Sequence, residues 1–63
     1  MKNYSSKEII KILNDDGWQI KNQVGSHIQL VHRTKPGKVT VPHPRKSLPP
    51  HLILSIFKQA GLK

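Results

Sequence analysis

Apolar positions along this chain follow two different periods, and the change between them falls at Trp18. Before it, Ile9, Ile10 and Leu13 make a stripe at helical spacing with Ile12 at its margin, which predicts a first helix with one apolar face. Ser5-Ser6-Lys7-Glu8 fits a capping box at its start, and Tyr4 and Ile9 are spaced to close a hydrophobic staple over that cap. Asn14-Asp15-Asp16-Gly17 ends the helix, with Gly17 as the left-handed stop. From Trp18 the period is two, with Trp18 and Ile20 on the inner face and Gln19, Lys21 and Gln23 on the outer. Asn22 falls on the nominally inner side, so this first strand bulges or frays before Gly25.

Gly25-Ser26 suits a hairpin connection, because glycine reaches positive φ without a Cβ clash and serine bonds its own backbone. A second strand follows from about His27 to Arg33, and the Pro36-Gly37 turn leads to a third, Val39-Thr40-Val41. Pro42-His43-Pro44-Arg45-Lys46 cannot extend the ladder, since its prolines lack a donor and restrict the residues before them. Pro49 and Pro50 fit the start of a second helix, on which Leu52, Ile53, Ile56, Phe57 and Ala60 make an apolar face. Gly61 stops it and Leu62 folds back on the last turn. The order is α-β-β-β-α, an α+β fold with a three-stranded antiparallel sheet and both helices on one face. Trp18, Ile20, Ile28, Leu30, Val39 and Val41 meet the helices. The other face stays open and is polar and basic, with His27 near one end.

Length and charge narrow the partners. A chain of 63 residues makes one domain, residues 1–63, too small to enclose a deep pocket. It has no cysteine, hence no disulfide, thiolate nucleophile or cysteine zinc site, and its four histidines form no close ligand pair. No metal or cofactor is expected. Eleven Lys and Arg against three Asp and Glu give a net charge of +8 spread through the chain, a field that favours a polyanion. The N-terminus lacks the apolar core of a signal peptide and no stretch is apolar enough to span a membrane, so a cytoplasmic protein is expected.

His27 is the residue with chemistry to offer. If Ile28 and Leu30 are buried, alternation exposes it, and an imidazole near its reference pKa of about 6.5 both takes and gives a proton close to neutrality. Spacing alone leaves two roles open: a catalytic base, or a turn residue that caps the Gly25-Ser26 backbone. His32 falls with Ile28 and Leu30 and reads as a partly buried, hydrogen-bonded histidine at the core edge. His43, in the basic loop, either contacts phosphate or fills a proline-rich turn, and His51 is solvated. Trp18 reads as core rather than a base-stacking platform.

Gly17-Trp18, Gly25-Ser26-His27, Val39-Thr40-Val41-Pro42-His43-Pro44 and Ser55-Ile56-Phe57-Lys58-Gln59-Ala60-Gly61-Leu62, in this order, resemble the HicA family of bacterial toxins over nearly the whole chain. The resemblance implies a double-stranded-RNA-binding-domain-like fold, cleavage of mRNA as a metal-independent endoribonuclease, and neutralisation by a HicB-like antitoxin. It places the catalytic histidine of the family's Gly-Ser-His motif at His27. The RNA contacts expected beside it are Lys21, Ser26, Gln29, Arg33, Lys38, His43, Arg45 and Lys46. The chain departs from many members at Pro50-His51, where a small or hydroxyl residue precedes the second helix.

RNA carries its own nucleophile, the 2′-hydroxyl, so one base and nearby cations suffice for scission. The competing reading is a noncatalytic RNA-binding module that uses shape and phosphate contacts. An adaptor for an acidic protein is a third class. A helix-turn-helix DNA binder is disfavoured, because three strands separate the two helices.

Overall fold

The computed structural model describes residues 3–62; Met1, Lys2 and Lys63 lie outside the described residues. Helix α1 spans Ser6–Asp15, strands β1, β2 and β3 span Trp18–Val24, His27–His32 and Lys38–Pro42, and helix α2 spans Pro50–Gln59. The sheet is antiparallel in the order β1-β2-β3, so β2 is central and β1 and β3 are edges.

Both helices begin and end where their residue chemistry dictates. Ser5 caps α1: its hydroxyl accepts the Glu8 N–H at 3.1 Å and its own N–H donates to the Glu8 carboxylate at 2.9 Å. Asp16 closes the helix and Gly17 follows with φ +104°. Pro49 caps α2 without a side-chain bond and Pro50 takes its first turn, where a missing amide hydrogen costs little. The Leu62 N–H folds back to the Phe57 carbonyl at 2.9 Å.

The helices cover one sheet face. Ile9, Ile10 and Leu13 of α1 and Ile53, Ile56 and Ala60 beside α2 bury against Trp18, Ile28, Leu30, Val39 and Val41. Leu48 completes the core at 2% exposure, although it stands in a proline-flanked loop with no periodic signal. A backbone bridge to Tyr4 holds it there, the Leu48 N–H donating to the Tyr4 carbonyl at 2.8 Å. Tyr4 packs on the core and meets Phe57 edge-to-face, with centroids 6.1 Å apart.

Two expectations for β1 are corrected. Ile20 lies opposite Leu30, on the helix-facing side, but is 51% exposed. Only Trp18 of this edge strand is buried, so the helix cover ends short of Ile20. The predicted bulge falls between Ile20 and Asn22 and leaves Lys21 without a cross-strand partner. Beyond it every side chain changes face: Asn22 pairs with Gln29 on the open side, and Gln23 sits opposite Ile28 rather than outward. Strand β2 also ends at His32, one residue before Arg33. Strand β3 runs on through Pro42, which pairs with His27, although the sequence predicts a ladder that stops at Val41. On an edge strand the missing proline N–H is tolerated.

Candidate nucleic-acid interface

His27 is set by a two-residue turn. Val24 and His27 are cross-strand partners, leaving Gly25 and Ser26 as the loop. Gly25 has φ +59° and Ser26 a negative φ, the sign pattern of a type II′ hairpin turn, which matches the twist of its flanking strands. The Gln23 side-chain amide donates to the Gly25 carbonyl at 3.1 Å and braces the loop. His27 thus opens the central strand with Val24 on one side and Pro42 on the other, both in register with it. It is exposed, and neither ring nitrogen has a hydrogen bond among the described residues. Such a ring is open to a ligand at both nitrogens.

The other expected contacts fall into two groups. Gln29 shares the open face with His27, between Asn22 and Thr40, and Lys38 stands on that face opposite Val31. Ser26 is in the turn and Lys21 at the bulge, both exposed. Arg33 lies past the far end of β2, about 20 Å from His27 at the usual strand rise, too far to touch the same phosphate. His43, Arg45 and Lys46 form the second group. Pro42 faces the open side beside His27, and the next residue turns toward α1, where His43 Nδ1 lies 2.8 Å from the Ser6 hydroxyl. The Ser6 hydroxyl also accepts the Arg45 N–H at 3.0 Å, and the Ser6 N–H donates to the Arg45 carbonyl at 3.0 Å. Sequence reading missed Ser6 and Lys7, because the capping box makes full use of Ser5 and leaves no periodic reason to single out its neighbours.

His32 takes no part in this interface. Its Nε2 donates to the Asp16 carbonyl at 2.8 Å, while Nδ1 accepts the backbone N–H groups of Thr34 at 3.0 Å and Lys35 at 3.2 Å. Both nitrogens are engaged, and the ring stands edge-on to Trp18 with centroids 5.2 Å apart. Lys35 donates to the Asp16 carboxylate at 2.6 Å and to the Ala60 carbonyl at 3.1 Å, so one lysine ties the ends of both helices together. Its hydrogen bond holds the Asp16 carboxyl below the ordinary range, against a desolvation that pushes the other way. The indole Nε1 of Trp18 is buried without a hydrogen-bond partner among the described residues.

The α-β-β-β-α order, with two helices on one face of a three-stranded antiparallel sheet whose other face is open, defines a small α+β protein of the double-stranded-RNA-binding-domain-like class. The family model described as HicA toxin of bacterial toxin-antitoxin matches residues 6–62, and the chain belongs to that family. It is also similar to a chain of a solved toxin-antitoxin complex from Streptococcus pneumoniae. The two share 32% identity with a TM-score of 0.78, over 92% of this chain and 97% of that one. No curated protein matches it.

Proposed function

We propose that this toxin is an endoribonuclease acting on mRNA in the cytoplasm, with His27 as its general base. One observation carries the reading: an exposed imidazole with both nitrogens unengaged, at the end of the central strand, on a molecule of net charge +8. His27 takes the proton of a ribose 2′-hydroxyl; O2′ bonds to phosphorus as the bond to the 5′ oxygen breaks, and that oxygen takes a proton from water and leaves as a 5′-hydroxyl. Products end in a 2′,3′-cyclic phosphate or its hydrolysed form, and no step requires a metal. The cations of the sheet face, Lys21 and Lys38, are those assigned to the charge that develops on the phosphorane. A HicB-like antitoxin is the expected inhibitor, a reading supported by the family and by the similar chain solved in a toxin-antitoxin complex. An acidic surface on it would complement this one and speed encounter.

The test is cleavage of RNA in EDTA by wild type and His27→Ala, with folding and RNA binding of the variant checked in parallel. Cleavage should survive chelation and fall by about 10²–10⁴-fold in a folded variant that still binds. Products with 5′-phosphate ends, or equal cutting by the variant, would remove His27 from this role. Binding without cleavage by wild type would leave a noncatalytic RNA-binding module.

A further inference from the structure

Around the sheet end that carries His27, on the helix side, a groove opens between the start of α1 and the loop after β3. Ser5, Lys7, His43, Arg45 and Lys46 line it. Three of these side chains are cationic and no carboxylate is among the lining groups. The helix amides contribute little, because the Ser5 and Glu8 N–H groups are taken by the capping box and the Ser6 N–H by the Arg45 carbonyl. Attraction for an anion therefore comes mainly from side chains.

The floor of the groove is built rather than incidental. Ser6 is 1% exposed, and its hydroxyl joins the helix to both His43 Nδ1 and the Arg45 N–H. With Nδ1 held there, His43 has Nε2 left, and this nitrogen has no hydrogen bond among the described residues. The His43 N–H donates to the Ser26 carbonyl at 2.7 Å, which locks the loop to the turn that presents His27. His27 pairs with Pro42 on the open face while His43 reaches Ser6 on the other, so the groove and His27 sit back to back across one sheet end.

We propose that this groove is a phosphate subsite for the same RNA strand whose scissile phosphate lies at His27, the strand passing over the Gly25-Ser26 rim. The proposal rests on the reading of the protein as RNA-cleaving. Lys7, Arg45 and Lys46 hold one non-bridging phosphate edge with His43, and they touch no base, so the subsite adds affinity and register without sequence preference. Inorganic phosphate has the same anionic chemistry, and the test separates it from the strand.

The experiment follows the imidazole signals of His27 and His43 by NMR during titration with 2′-O-methyl RNA, which cannot be cleaved, and separately with inorganic phosphate. Salt dependence of RNA binding is then compared for wild type, Arg45→Gln/Lys46→Gln, and a charge-matched control, Lys11→Gln/Lys58→Gln. Both histidines should respond to the RNA. The salt slope should fall by about 0.7 for each phosphate that the groove variant no longer neutralises, and stay unchanged in the control. A response of His27 alone, or equal slopes in the groove variant and wild type, overturns the subsite while leaving RNA recognition intact. Response of His43 to inorganic phosphate but not to RNA also overturns it, and absence of any RNA binding by wild type overturns the underlying reading instead.

Discussion

At Gly17 one missing methyl group decides how a histidine packs. A Cβ there would stand 2.7 Å from His32 Nε2, and the backbone φ of +104° already disfavours any other residue. His32 cannot yield, because both its nitrogens are bonded and its ring rests on Trp18. Gly17→Ala should cost roughly 1–3 kcal/mol, read as a lower urea midpoint with the slope unchanged. Asp16 beside it sets a pH effect. A carboxyl lowered in the fold stabilises the native state above its unfolded pKa, about 3.9, and that contribution is lost as pH falls through the folded value. Asp16→Asn should flatten the acid limb of the stability curve below about pH 4, as measured by denaturant midpoints across pH. The roles of Trp18 and His32 were legible from alternation alone. The exposure of Ile20 was not, because alternation gives the face of a side chain but not how far along the strand the helices reach.

Among the elements, the α1 start and the loop after β3 are held by Ser6, a contact 37 residues apart in sequence for His43 and 39 for Arg45. No local pattern announces such a bond. Ser6→Ala removes the partner of a part-buried N–H and of an imidazole nitrogen, so it should destabilise by about 1–2 kcal/mol in chemical denaturation. A change no larger than that of an ordinary surface substitution would mean the loop is held by its neighbours instead. Elsewhere the boundaries were readable: the capping box, Gly17, the Gly25-Ser26 turn and the two prolines before α2 each act within a few residues. Leu48 was hidden for the opposite reason, since its burial depends on a bridge to Tyr4 and not on any period of its own.

On the scale of the whole molecule, fold order and face polarity followed from periodicity, while the division of the basic residues into a sheet group and a groove group required the three-dimensional path of the loop after Pro42. The placement of Lys21 has a consequence of its own. Strand β1 is an edge whose outer backbone groups face no other strand of the sheet, and Ile20 and Val24 stand exposed along it. Such an edge is a template on which identical chains stack. The bulge interrupts its ladder at the position where Lys21 supplies a charge, and each copy carries +8. Lys21→Val should therefore scatter light at concentrations and salt levels where wild type stays clear, and equal scattering would mean that net charge alone suffices. On that expectation the irregularity that spoils the alternation of β1 would also act on colloidal dispersal, by breaking the edge along which copies could stack.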